Sequence, residues 1–129
     1  MTHRFPIRVF YEDTDMAGIV YYANYLKFIE RARSDWVRGA GVDQNAMRED
    51  DGVVFAVRRI EADYLAAARF DDRLEVATKL LQMTGARLVM GQKVTRGDEV
   101  IFEAEVTVVC VNSSGQPARL PAEIRQRLH

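Results

Sequence analysis

The chain has 129 residues, 48% of them hydrophobic and 29% charged, and 18 basic side chains against 19 acidic ones leave a formal net charge of −1. That length holds one domain around one core, residues 1–129, and the charge balance gives no electrostatic reason for a nucleic-acid partner. A single cysteine excludes an internal disulfide and a multi-cysteine metal site, and no run approaches the ~18 apolar residues of a membrane span.

The amino terminus, MTHRFPIRVF, is basic but has neither an apolar h-region nor a small-residue cleavage site, so a cytoplasmic location is expected. Residues 5–12 alternate, with Ile7, Val9 and Tyr11 on one side and Arg8, Phe10 and Glu12 on the other, which predicts a strand. The segment DTDMAG breaks it, because Asp and Gly favour turns. From Tyr22 to Gly39 the period becomes helical. Tyr22, Leu26, Ile29, Trp36 and Val37, with Ala32 and Arg33, form the expected buried stripe. Gly39 and Gly41 end the helix, since glycine suits a left-handed position after the last turn.

Residues 42–52 read as a loop or short extra turn, followed by a strand over 53–65 and a small-residue link, AAARFDD, over 66–72. Strands over 73–83 and 87–95 flank a turn at Thr84-Gly85-Ala86, and Arg96-Gly97-Asp98 suits a hairpin connection. In the strand 99–111, Val100, Phe102, Ala104, Val106, Val108 and Cys110 face one way and Glu103, Glu105 and Thr107 the other. Cys110 therefore reads as a small buried apolar residue. A short helix starting at Pro121 ends the chain. One strand, one long helix and four strands joined by short turns give an α+β chain, with a mainly antiparallel sheet curled around the helix. Its outer face keeps apolar side chains such as Val109 and Val111, which predicts self-association.

The stretch YEDTDMAGIVYYANY (11–25) brings two carboxylates, a flexible turn and a helix start together. Asp13 and Asp15 read either as turn formers and helix-dipole partners or as groups that attack or activate water. Glu30 is explained by an i, i+3 pair with Arg33. The two histidines, His3 and His129, lie at the extreme ends, away from the helix start.

The motif Tyr-x-Asp-x-Asp, with Gly18, Val20-Tyr21-Tyr22, Asn24-Tyr25 and Glu30-x-Ala32-Arg33, together with ADYLAAARFDDRLEV (62–76), resembles the hot-dog-fold acyl-CoA thioesterases of the 4-hydroxybenzoyl-CoA thioesterase type. Within them it is most similar to the bacterial branch associated with the Tol-Pal envelope system, over residues 7–111. The resemblance implies a five-stranded antiparallel sheet around one central helix, and hydrolysis of short-chain aliphatic or aromatic acyl-CoA thioesters to the free acid and CoA. It implies Asp15 as the catalytic carboxylate and the backbone N–H of Tyr22 as the oxyanion donor, with Gly18, Val20 and Tyr21 shaping the approach. Asp13 stays structural. It also implies a homotetramer built as a dimer of dimers, with no metal and no cofactor beyond the CoA of the substrate.

Val57 is expected to line the acyl pocket, while Arg58, Arg59 and Arg87, with Arg69 and Lys93, are candidates for the CoA phosphates. Relatives that place basic residues in the turn after the third strand differ from this chain, whose turn holds Thr84-Gly85-Ala86. Ala66-Ala67-Ala68 stands where proline is common in the family. The competing reading is a non-catalytic module of the same fold that binds an acyl thioester or an envelope protein.

Overall fold

The computed structural model describes residues 1–129. Strand β1 spans Thr2–Arg8 and helix α1 spans Asn24–Gly39. A short turn of helix, α2 (Gln44–Ala46), continues as a π turn through Asp51, with the Asp43 carboxylate accepting from the amides of Asn45 and Ala46. Strands β2 (Val53–Tyr64), β3 (Arg73–Met83), β4 (Arg87–Arg96) and β5 (Glu99–Asn112) follow, and helix α3 (Ala122–Arg127) ends the chain. All strands pair antiparallel in the order β1-β3-β4-β5-β2. The sheet curls around α1, as the resemblance implies.

Alternation along the strands builds the core. Leu74, Val76, Leu88, Met90, Val94, Phe102, Ala104 and Val106 are buried against Tyr25, Phe28, Ile29 and Ala32 of α1. Burial on this scale, at about 25 cal/mol per Å² of apolar surface, is the main force holding helix to sheet.

The helical stripe differs from the sequence expectation. Tyr25 and Phe28 are buried, whereas Tyr22 is 62% exposed and Leu26 36% exposed. Tyr22 falls before the first helical residue, so its side chain is not on the helix face at all. The chain turns out of α1 at Gly41, whose φ of 89° is left-handed, with the Val42 amide bonding back to the Val37 carbonyl.

Strand β1 starts three residues earlier than expected and stops at Arg8. His3 therefore lies inside a strand, with Nε2 3.0 Å from the Asp35 carboxylate of α1. The expected Glu30–Arg33 pair does not form. Arg33 donates instead to the Gln92 side chain at 3.0 Å. Gln92 is 1% exposed and in turn donates to the Ile29 carbonyl and the Thr78 hydroxyl, so a buried polar group is fully engaged between helix and sheet.

A register shift between Val57 and Arg59 reverses the faces of β2. Val57 looks toward the helix side, as do Ile60 and Tyr64 beyond the shift. Arg59, Glu61 and Asp63 look outward beside Glu103 and Glu105.

Candidate active site

The stretch 13–21 folds as a narrow hairpin. Thr14 faces Val20, flanked by bonds from the Tyr21 amide to the Asp13 carbonyl and from the Asp15 amide to the Ile19 carbonyl, both 3.0 Å. The tip is a turn from Asp15 to Gly18, closed at 2.9 Å, and Gly18 takes a φ of 78° that a side chain would strain. The Asp15 carboxylate accepts from the Ala17 amide at 2.9 Å and is otherwise open to solvent.

Asp13 is different. Its carboxylate is buried and accepts from the Phe10 amide at 2.8 Å, while its carbonyl accepts from Tyr21 and from the Asn24 side chain. Asp13 thus ties the strand end, the hairpin and the helix start together. Asn24 serves by this bond rather than as the residue before the helix, which is Ala23.

The link 66–72 completes the arrangement. Ile19 faces Arg69, and the Val20 amide donates to the Ala68 carbonyl at 2.8 Å. Asp15, Ile19 and Arg69 consequently occupy one row across three short strands, with Val20 and the fully buried Ala68 on the opposite face. Sheet spacing puts Arg69 about 10 Å from Asp15. Arg69 makes no ion pair within 4 Å.

At the helix start the amides of Tyr22, Ala23 and Tyr25 have no acceptor within the chain. Such unpaired donors at the positive end of a helix dipole attract developing negative charge. Tyr21 is partly exposed beside Tyr22, the two rings 5.0 Å apart. Val20 is 3% exposed, so it supports the hairpin from inside rather than lining an open approach. Behind the helix start, Tyr25 stacks on Phe102 at 5.0 Å, and Tyr64 packs edge-on against Tyr22, Tyr25 and Phe102.

A groove runs between α1 and the free edge strand β2. Its shallow upper part is bordered by Leu26 and Ile60. It deepens past Val57 into a cavity of about 180 Å³ bordered by Trp36, Phe55 and Met90. Val57 thus borders a channel that opens one helical turn from Tyr22, with Glu30 and Arg33 of α1 also on its wall.

The arginines are not gathered at Asp15 within one chain. Arg58 is the exposed extra residue of the β2 register shift, and Arg59 is paired with Glu61 on the outer face. Arg87 opens β4 opposite Val109, seven residues along β5 from Phe102, which is about 23 Å. Lys93 borders a polar hollow of about 540 Å³ on the outer face, on the side of the sheet away from α1. Two cations passed over in the sequence, Arg119 and Arg125, border an open hollow beside the Thr84-Gly85-Ala86 turn, with the Arg119 guanidinium 3.2 Å from where a Gly85 Cβ would sit. Tyr64 and Arg96 were also passed over. Tyr64 bonds a carbonyl 42 residues away, and Arg96 reaches Ala67 and Asp72, more than twenty residues upstream, besides Glu99 three residues on.

A curved antiparallel sheet wrapped around one long helix defines an α+β hot-dog domain. The family model described as "Thioesterase-like superfamily" matches residues 9–128, and the chain belongs to that superfamily. It is 42% identical over 123 residues to "Acyl-CoA thioester hydrolase YbgC" of Escherichia coli O6:H1, covering 94% of this chain and 91% of that protein. It is 37% identical over 126 residues to "Acyl-CoA thioesterase YbgC" of Haemophilus influenzae, covering 97% and 93%. Among solved structures, the "Probable Thioesterase" of Bartonella henselae superposes with a TM-score of 0.89 at 35% identity, over 94% of this chain and all of that one.

Proposed function

We propose that the chain is an acyl-CoA thioesterase in which Asp15 drives attack on the thioester carbon and the Tyr22 amide receives the carbonyl oxygen. The observation that supports this reading is the unbonded amides at the start of α1, which follow directly in the chain on a hairpin whose exposed carboxylate is Asp15. A thioester leaves as a stable thiolate, so a carboxylate can attack it, or deprotonate a water that does, without a serine or cysteine nucleophile. Loss of one preorganised oxyanion donor costs about 3–4 kcal/mol of transition-state stabilisation in acyl transfer. The α1–β2 groove, with Val57, takes the acyl chain.

The motif supports placement with the 4-hydroxybenzoyl-CoA type and the Tol-Pal-associated branch, acting in the cytoplasm as a homotetramer. The reading expects a second copy to cover the exposed edge of β2 and to bring Arg58 and Arg87 to the site of its partner. Light scattering that finds a stable monomer contradicts the assembly.

Asp15→Asn tests the chemistry. It keeps the fold and loses turnover by about 10²-fold or more, and a variant as active as the wild type ends the assignment. A single turnover in ¹⁸O-labelled water separates the routes, since label in the Asp15 carboxylate marks a covalent anhydride.

A further inference from the structure

Two of the free amides at the helix start, those of Tyr22 and Ala23, are aimed by different partners. A trans peptide carries its N–H antiparallel to its C=O, and no peptide in the chain is cis. The carbonyl of Tyr21 accepts from the Asn24 amide at 2.8 Å, so the helix's own first turn directs the Tyr22 N–H outward. The carbonyl of Tyr22 receives no backbone donor. It accepts instead from the Tyr64 hydroxyl, 2.9 Å away and 42 residues along the chain.

We propose that Tyr64 is a positioning residue for the thioesterase reaction: by holding the Tyr22–Ala23 peptide, its hydroxyl directs the Ala23 N–H to the same side of the helix start as that of Tyr22, giving an oxyanion site with two donors. The proposal rests on the reading of the helix start as the oxyanion site, given above.

The ring and the hydroxyl of Tyr64 do separate things. The ring lies edge-on between Tyr22, Tyr25 and Phe102, at 6.2, 5.5 and 5.0 Å, and a phenylalanine would pack there equally well. The hydroxyl adds one bond, to the one carbonyl of the helix start that backbone leaves open. Burial, followed by the neighbouring Tyr22 and Tyr25 hydroxyls, raises the Tyr64 pKa above its usual value, so it remains a donor through neutral and mildly alkaline pH. Tyr64 is the last residue of β2, directly opposite Phe102 in the register. The sheet, not the flexible hairpin, therefore sets this peptide.

Tyr64→Phe, Phe102→Leu and Asp15→Asn are compared by thiol release, using whichever of butyryl-, hexanoyl- and benzoyl-CoA the wild type turns over fastest, alongside thermal melts. Tyr64→Phe is expected to lower kcat about tenfold with KM unchanged within about twofold, and to leave Tm within about 2 °C. Phe102→Leu disturbs the same ring cluster without touching the bond, and is expected to lower Tm and keep kcat. Wild-type kcat in Tyr64→Phe overturns the role of the hydroxyl, and so does an equal kcat loss in Phe102→Leu. With Asp15→Asn inactive, either result leaves the assignment of the site standing. An Asp15→Asn variant as active as the wild type overturns both.

Discussion

The amide of Ala68 donates to the hydroxyl of Tyr25 at 3.0 Å, and the carbonyl of the same residue accepts from Val20 at 2.8 Å. One small, fully buried residue of the 66–72 link is thus gripped by the helix on one side and by the hairpin that carries Asp15 on the other. Ala68 has no room for a larger side chain and no polar atoms beyond its peptide. Its backbone alone registers Asp15 against α1.

Tyr25→Phe removes the acceptor and leaves a buried N–H without a partner, a loss worth about 1–3 kcal/mol. Burial is the main reason the Tyr25 pKa is raised, so the neutral hydroxyl is the form that takes this bond. A lowered Tm together with reduced kcat is expected, because the hairpin keeps only the Asn24–Asp13 side-chain bond to the helix start. Urea denaturation with an unchanged midpoint contradicts the account.

The same link is anchored from below by Arg96, which donates to the Ala67 carbonyl and the Asp72 carboxylate at 2.9 Å each and to Glu99 at 2.8 Å. Burial alone would raise the Asp72 pKa, but the Arg69 amide and the Arg96 guanidinium outweigh it and hold the carboxyl below its usual value. The folded state thus favours the ionised acid. Its contribution is complete above the ordinary carboxylate value of about 4 and is lost as pH falls through the lower folded value. Asp72→Asn should flatten the decline of Tm on the acid side of pH 4, and an unaltered decline rules out this contribution.

Gln92→Leu places an isosteric apolar group between α1 and the sheet. It strands the Thr78 hydroxyl and one Arg33 N–H, which Gln92 now satisfies. The cost is about 2–3 kcal/mol, read as a shift in the urea midpoint with unchanged slope. Val at Thr78 in the same background should recover part of it. No recovery in the double variant means the two side chains do not act together.

Gly18→Ala meets no atom within 4 Å, so any effect comes from its φ of 78°. The strain is about 1–2 kcal/mol if the turn holds its shape. If it instead relaxes, Asp15 moves and kcat falls while Tm barely changes. Activity is expected to suffer more than stability. A variant with full kcat and full Tm removes the turn from the mechanism.

The lone thiol of Cys110 is 2% exposed, and burial pushes its pKa up. A thiol reagent should leave the folded protein unmodified for hours and react fully in denaturant. Rapid labelling in native buffer contradicts the packing of β5.

Much of the architecture follows from period alone. The alternation of β5 places Phe102, Ala104, Val106, Val108 and Cys110 inward, and each lies against the core, but a register shift against β4 turns Val100 away and buries Ile101 in its stead. The hairpin tip at Gly18 and the helix end at Gly41 were equally legible, since only an unusual φ makes glycine necessary there. The helix stripe was not. Tyr22 and Tyr25 have equal hydropathy, and a helix that starts at Asn24, two residues later than expected, buries Tyr25 and leaves Tyr22 outside. The extra residue at Arg58 was hidden for a related reason: a strand with one residue inserted still reads as a strand, although every side chain beyond it changes face. Bonds such as Tyr64 to Tyr22 join positions 42 apart and leave no trace in any window of sequence.

The position of β5 between β4 and β2 has a consequence for how the chain matures. Residues 53–64 have no hydrogen-bonded strand neighbour other than 99–112, so the segment made mid-synthesis waits for the last strand to leave the ribosome. Such distant pairings slow folding. A ribosome stalled before residue 99 would hold a chain whose 53–64 strand is solvent-open and ready to pair wrongly with any nascent neighbour.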